Sequence, residues 1–395
     1  MKVRPLQVGL FFYPFLTVDS PRNKLWFPSI ITTEIFYICS IIQLVTMFGI
    51  VIFILSIVVS IPIVFILVCT ILEYRPDREI LLSSIEDGNE KLPTSSSFRF
   101  LIWNIGYAGL NKEMDFFYDG GRMVRPSYPV VVRNLQSFQH FLSENGPFDF
   151  CMLQEVDVHS KRSYHINQRK QLQNSLSYKY AYLGINYNVL YVPMPLTDPM
   201  GHVEAGLLSL SNHQPYECKR ISYPYGMKWP LRTFLLKRCF MPMRYHLSNG
   251  KDLIVINTHN SAFDEGGKLR IAELEYLKEY MLSEYNKGNY VVAGGDFNQS
   301  PVGLVKEFEG EIFDDKEYIA VSDTLFPKEW HFVFDNSCPS NRRTDVIYEK
   351  GRTRVALLDF FIASPNVKVE RVKCHDLHFE NTDHNPVEMV IRLVE

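Results

Sequence analysis

The segment YVVAGGDFN at 290–298 decides how the rest of the chain is read. It is a short apolar run, rich in Val, that stops at Asp296 and Asn298. Such a run, bounded by turn residues, reads as a strand buried on both faces. Its end places a carboxylate and an amide where an α/β fold gathers functional groups. Taken alone, GGDFN fits a plain turn as well, because Gly-Gly and Asp-Phe-Asn are turn formers. The choice depends on whether the same texture recurs.

It recurs as FRFLIWN (98–104), FDFCMLQE (148–155), LIVINTH (253–259), VALLDFFIAS (355–364) and VEMVIRLV (387–394). Helical patterns fall between some of these runs. Val132, Leu135, Phe138 and Leu142 repeat at helical spacing before Gly146. Leu269, Ala272, Leu274, Leu277 and Met281 do so before Lys287-Gly288. Strands alternating with helices predict an α/β or α+β sandwich. No internal repeat at solenoid periods is present.

Of 395 residues, 46% are hydrophobic and 22% charged, which excludes a disordered or collagen-like chain. Net charge is −3. Five of the 41 basic and three of the 44 acidic residues fall in 1–75, so residues 76–395 carry about −5. A nonspecific DNA binder usually has the other sign. The seven cysteines form neither a CxxC pair nor a tight Cys/His cluster, which argues against structural zinc and a dense disulfide framework.

Residues 35–72 contain no Asp, Glu, Lys, Arg or His. A membrane-crossing helix needs roughly 20 such residues, and a signal peptide is shorter and ends in small residues. One span, or a hairpin turning near Gly49, accommodates the run. Lys2, Arg4, Arg22 and Lys24 precede it, while Arg75 and Arg78 follow among Glu73, Asp77 and Glu79. The positive-inside rule then puts the N-terminus in the cytoplasm. One span places the remainder outside and a hairpin keeps it inside, so the side is left open. The expected organisation is an N-terminal tail (1–28), a transmembrane segment (29–75), a polar linker (76–97) and a catalytic domain (98–395).

The strand-like runs end in, or are followed by, a recurring set of polar residues: Asn104, Glu155, His259, Asp296 with Asn298, Asp359, and Asp383-His384. Each has an ordinary reading alone: a loop cap for Asn104, a solvated strand end for Glu155, a hydrogen-bonded structural histidine for His259. Asp359, between Leu358 and Phe360, is costly to bury unless paired. Together they fit phosphoryl ester hydrolysis. A hard cation takes oxygen ligands, phosphate oxygens need amide or imidazolium donors, and an attacking water needs a base.

In order and spacing, WN (103–104), QE (154–155), NTH (257–259), GDFN (295–298), LDFFIAS (358–364) and TDHNPV (382–387) resemble the endonuclease/exonuclease/phosphatase superfamily over about 98–393. That superfamily includes DNase I-like nucleases, inositol polyphosphate phosphatases and neutral sphingomyelinases. The resemblance implies an α/β, four-layer sandwich of two packed mixed β-sheets flanked by helices, with a pocket at one end. It implies Mg²⁺, with Mn²⁺ as a substitute, on Glu155 with Asn104 and Asp383 beside it. It assigns water activation to Asp296, with Asn298 holding Asp296 or a phosphate oxygen. His259 and His384 contact the phosphate, and Asp359 orients His384.

Thr382 stands where Ser is commoner, and Asn260 follows His259 where an apolar residue is common. The stretch 106–127 reads equally as a substrate loop or a surface insertion. The apolar, Pro-rich stretch 187–206 reads as touching lipid or simply packing. Lys237-Arg238, ahead of the strand-like CFMPMRY, reads first as an exposed basic pair and second as reaching a phosphate. The favoured function is a membrane-anchored, metal-dependent phosphodiesterase acting on a lipid headgroup, with the bilayer as its partner. The alternatives are a nuclease and a non-catalytic binding module.

Overall fold

The computed structural model describes residues 29–84, 90–262, 264–315 and 319–394. The expected tail, 1–28, lies outside them. The chain divides into two compact units, Met1–Phe65 and Ile66–Glu395. In the first, the described residues are all helix, part of α1 (Ser29–Ile71). α1 is continuous through Gly49 and Pro62, so no hairpin forms. Its 43 residues span about 64 Å at about 1.5 Å each.

The second unit holds the strands. In chain order they begin with β1 (Glu79–Ser84), β2 (Ser97–Asn104), β3 (Phe150–Asp157), β4 (Tyr180–Val192), β5 (Gly201–Ser211) and β6 (Glu217–Ser222). Then come β7 (Cys239–His246), β8 (Asp252–His259), β9 (Tyr290–Asp296), β10 (Ile312–Phe313) and β11 (His331–Val333). The last are β12 (Asn341–Arg342), β13 (Arg354–Ala356), β14 (Asp359–Ala363), β15 (Val367–Cys374) and β16 (Val387–Leu393). Helices α2 (Tyr128–Asn145), α3 (Gln168–Leu176) and α4 (Lys268–Asn286) complete the framework.

One sheet has the order β15-β16-β2-β3-β5-β4 and the other β1-β6-β7-β8-β9-β14-β11, with β10, β13 and β12 in a small third sheet. Strand alternation explains the layering. Phe98, Phe100 and Ile102 of β2 face one core together with Leu253 and Val255 of β8 and Val292 of β9. Leu101 and Trp103 of β2 face the opposite way, onto Leu135, Phe138 and Leu142 of α2 and Leu172 of α3. Ile254 and Ile256 of β8 face Leu274, Leu277 and Met281 of α4. The two sheets therefore pack face to face with helices outside each, four layers in all. Each fully buried Val, Leu or Phe contributes about 1.5–3 kcal/mol. The polar bridge between the sheets is Asn257, whose side chain donates to Leu153 O and Leu208 O at 3.2 Å and accepts from Gln154 Nε2 at 2.8 Å.

Two expectations are corrected here. The stretch 76–97 is not simply a linker: β1 pairs antiparallel with β6 at the edge of the seven-stranded sheet, and Leu92 is buried. Its Ile-Leu-Leu core supplies a strand that the surrounding polar residues obscure. VALLDFFIAS is two strands, because Leu357-Leu358 carry the chain from the small sheet into the large one.

Candidate active site

Gly294 and Gly295 lie within β9, not in a turn. A Cβ on Gly295 would meet Thr258 O of the adjacent parallel strand at 2.0 Å, and its φ is +149. Glycine thus permits the close approach of β8 and β9 that sets His259 opposite Asp296 in register. On the other side β14 pairs antiparallel with β9 and sets Asp359 opposite Asp296. Three chemistry-bearing residues are therefore aligned by backbone pairing alone.

Asp296 is the centre of the set. Its Oδ2 accepts from Asn104 Nδ2 at 3.1 Å and lies 3.5 Å from His259 Nε2 and 3.6 Å from His384 Nε2. Its Oδ1 accepts from the backbone N–H of Asn298 at 2.9 Å. The Asn298 side chain is turned away and donates to Asn260 O at 2.9 Å. It is thus the backbone of Asn298 that holds Asp296. Arg270 of α4 donates to Asn298 O at 2.9 Å, tying that loop to the helix.

Behind His384 stands a relay of support. His384 Nδ1 contacts Asp359 Oδ2 at 2.7 Å, Ser340 Oγ donates to the same oxygen at 2.8 Å, and Trp103 Nε1 donates to His384 O at 2.9 Å. Asn341 contacts His384 Nε2 at 2.9 Å. Donor atoms of Asp296, Asp359 and His384 lie within 4.8 Å of one another. Because Asp359 and His384 are already bonded to each other, we read the three as an acid–base set and not as metal ligands. Ser340 and Asn341 are absent from the sequence expectation. Their only signal is proximity after folding, since they precede Asp359 by about twenty residues, Ser340 in a loop and Asn341 in the two-residue strand β12.

Electrostatics separate the groups. Burial pushes Asp296 up to about 6, with His384 opposing the rise and Asp359 adding to it. Burial opposes the charge of His384, but Asp359, Asp296 and Asp383 overcome it and raise the ring to about 10. His259 is lowered well below the usual histidine range by burial and then by Arg238, so it stays neutral.

Glu155 sits at a β-bulge, where the β3–β5 register shifts between Leu153 and Val156, and it has φ 54. A left-handed non-glycine residue costs on the order of 1–3 kcal/mol and aims a side chain that regular pleating would point elsewhere. Asn104 Nδ2 donates to Glu155 Oε1 at 3.3 Å. Gly106, with φ +48, lets the loop after Asn104 pass Asp383, whose Oδ1 a Cβ there would meet at 2.9 Å. Glu155 and Asp383 offer carboxylate oxygens suited to a hard dication, whereas Asn104, expected beside the metal, turns its amide nitrogen to Glu155 and Asp296 and accepts from Gly106 N with its Oδ1 at 3.0 Å. Asp383 fits that reading: burial, opposed by His384 and reinforced by the Glu155 charge, raises it to about 7. A bound dication would relieve that crowding.

Seven of the eight expected residues line one cavity of about 620 Å³, and Asp359 stands behind His384. The segment after Asn104 folds back over it: Leu110, Phe116, Tyr118 and Asp119 form part of the wall. The stretch 187–206 also packs, burying Tyr187, Val189, Met200 and Val203 in the same cluster as Tyr107 and Leu110. Lys237 is half-buried against Glu73. Arg238, expected outside, lines the cavity, and its Nη1 is buried with no hydrogen-bond partner among the described residues. Arg162, which the sequence reading did not single out, pairs with Asp157 at 2.9 Å, lies 3.8 Å from Glu155 and stacks on Tyr107 at 3.9 Å.

Residues 130–384 match the model of the endonuclease/exonuclease/phosphatase family. No curated protein sequence matches the chain. Among solved structures, an endonuclease/exonuclease/phosphatase from Beutenbergia cavernae is 17% identical with a TM-score of 0.49, over 75% of this chain and 72% of that one. Truncated TDP2 of Caenorhabditis elegans is 15% identical with a TM-score of 0.47, covering 75% and 97%. ANGEL2, a 2′,3′-cyclic phosphatase, is 15% identical with a TM-score of 0.48, covering 75% and 95%.

Proposed function

The chain belongs to the endonuclease/exonuclease/phosphatase family, and from that premise we propose that it is a membrane-anchored phosphodiesterase acting on a phospholipid or sphingolipid headgroup. Family membership supports phosphoester hydrolysis.

One observation carries the choice of lipid. The polar floor of the cavity is flanked by an apolar wall, Tyr187, Met200, Leu235 and Leu236, drawn from the β4–β5 hairpin and the loop before β7. The same two segments expose large apolar side chains. Leu190, Tyr191, Met194 and Leu196 stand on the hairpin, with Leu196 80% exposed, and Trp229 and Leu231 stand on the loop. Trp229 Nε1 donates to Thr70 Oγ1, in the last turn of α1, at 3.0 Å. Glu73, just beyond α1, is held by Lys237 and Arg232 of that loop. An exposed apolar rim with Trp and Tyr beside the cavity suits a bilayer surface, where those residues concentrate.

Glu34–Ile71 is long and apolar enough to cross a membrane and is not buried within the protein. With one helix and basic residues before it, the positive-inside rule puts the hydrolase outside the cytoplasm. The Cys338–Cys374 disulfide suits an oxidising compartment.

In mechanism, Asn104 and the Asn298 N–H fix the Asp296 carboxylate, which orients the attacking water and takes its proton. His384, held as the cation by Asp359, faces its Nε2–H toward the phosphoryl oxygens. As both its ring nitrogens then donate, the adjoining Asn341 amide presents its oxygen to that N–H until a phosphoryl oxygen takes its place. Neutral His259 adds a hydrogen bond without adding charge, and Arg238 offers its unpartnered Nη1 to the phosphate. Glu155 and Asp383 would hold Mg²⁺, or Mn²⁺ in its place, which when bound neutralises phosphate charge and assists the leaving oxygen, and the Asn104 N–H orients the Glu155 carboxylate.

The test is Mg²⁺-dependent hydrolysis by the full chain in detergent micelles, with Asp296→Asn as the blank. Sphingomyelin and glycerophospholipid vesicles are assayed beside single- and double-stranded DNA and RNA. Lipid turnover that the blank lacks supports the reading. Turnover of nucleic acid alone overturns it in favour of a nuclease, and absence of any turnover overturns the lipid assignment.

A further inference from the structure

Away from the catalytic set lies a cluster whose donor chemistry phosphoester hydrolysis does not use. His202 and Glu204 are two residues apart in β5 and so share one face of the strand. His159 reaches them from the loop leaving β3, and one donor atom from each of the three lies within 4.8 Å of the others. The backbone is locked at this point. Ser160 Oγ accepts from Glu204 N at 2.9 Å and donates to Glu204 O at 3.0 Å, and Val158 N donates to Glu204 O at 2.8 Å. The loop then returns a third imidazole. His165 N donates to Ser160 O at 2.8 Å, and the residue has φ 59. Its ring centroid lies 4.6 Å from that of His159, which lies 5.4 Å from that of His202.

Among the described residues, no hydrogen bond or ion pair engages these ring nitrogens or the Glu204 carboxylate. Two imidazoles and one carboxylate gathered from two segments, with their lone pairs unspent and a third imidazole beside them, form the donor set of a borderline transition-metal ion. The carboxylate pair Glu155 and Asp383 suits a hard ion instead.

We propose that His159, His202 and Glu204, with the His165 ring beside His159, bind a transition-metal dication of the Zn²⁺ class. The site spans the loop that carries Arg162, the residue facing both Glu155 and Asp157. A metal here clamps that loop to β5 and braces the arginine from behind.

The full chain in detergent micelles, stripped with a chelator and dialysed against Zn²⁺ with millimolar Mg²⁺, is analysed for bound metal. A single equivalent of Zn²⁺ is expected to be retained by the wild type and by Glu155→Gln, and to be lost from the His159→Gln/His202→Gln pair. Zn²⁺ is also expected to raise the melting temperature of the wild type and not that of the pair. Retention by the pair, or no retention by the wild type, overturns the proposal. A measurement on the wild type alone guards against a misfolded variant. Diethylpyrocarbonate modification, mapped by mass spectrometry, should be slowed by Zn²⁺ and not by Mg²⁺ at His159, His165 and His202. His140, with its side chain 76% exposed elsewhere, serves as the control. Equal protection of His140, or none at the cluster, overturns the assignment.

Discussion

Asp359 illustrates how one buried carboxylate acts through another group. Its Oδ2 is shared by His384 Nδ1 and Ser340 Oγ, at 2.7 and 2.8 Å. Asp359→Asn keeps the shape but removes the charge that holds His384 as a cation. We expect kcat to fall about 10²- to 10⁴-fold, the range for losing one acid–base contribution, with KM little changed, measured by steady-state kinetics. A second residue far from the pocket gives a pH signature. His213 contacts Asp149 at 3.0 Å and Glu90 at 3.2 Å, and its pKa is raised, first by the Asp149 hydrogen bond against the opposing effect of burial. The folded state therefore holds the proton more tightly than the unfolded chain, whose value is about 6.5. The stabilisation is full below that value and is lost as pH rises through the folded pKa. The melting temperatures of wild type and His213→Gln should differ most under acidic conditions and converge at alkaline pH.

At the scale of elements, the pocket is a product of strand register. β8, β9 and β14 lie side by side, so His259, Asp296 and Asp359 meet without any loop having to find its place. α4 then anchors the loops on either side: Glu273 accepts from Ser261 at 2.6 and 2.7 Å, and Arg270 donates to Asn298 O. The loop that supplies Ser340 and Asn341 is stapled to β15 by Cys338–Cys374. At the far edge, β1 and Leu92 belong to the sheet, not to a tether. A chain starting at residue 98 loses both. Leu92 alone is worth about 1.5–3 kcal/mol, so thermal melts should show 98–395 clearly less stable than 75–395, which keeps the edge strand.

For the whole molecule, the relevant quantity is where the catalytic cavity opens. Its apolar wall and the exposed Leu196 and Leu231 belong to the same two segments. Leu196→Glu/Leu231→Glu should weaken turnover of lipid in vesicles while leaving a water-soluble phosphodiester nearly unaffected. The hydrophobic contribution is lost at the surface, about 25 cal/mol per Å² of apolar area, and not at the reacting phosphorus. Vesicle and soluble-substrate rates measured side by side check this. Equal losses on both would place the effect on folding or chemistry.

Much of this was legible without a structure, for physical reasons. Strands buried on both faces must be apolar throughout, so FRFLIWN, LIVINTH and YVVAGGD announce themselves, and a polar residue at such an end stands out. That exposed Asn104, Glu155, His259, Asp296, Asp359 and His384 as candidates. A charge-free run of 38 residues likewise has few stable places outside a bilayer. What only the tertiary structure decided is proximity between segments whose local sequence carries no pattern. Ser340, Asn341 and Arg162 carry no local pattern until folding sets them against Asp359, His384 and Glu155. β1 is a strand because β6 offers it an edge. Arg238 reads as half of a basic surface pair, and it lines the cavity because its partner in sequence, Lys237, turns the other way to meet Glu73. Periodicity reports the environment of a single element, whereas a site depends on distances between elements, which only packing sets.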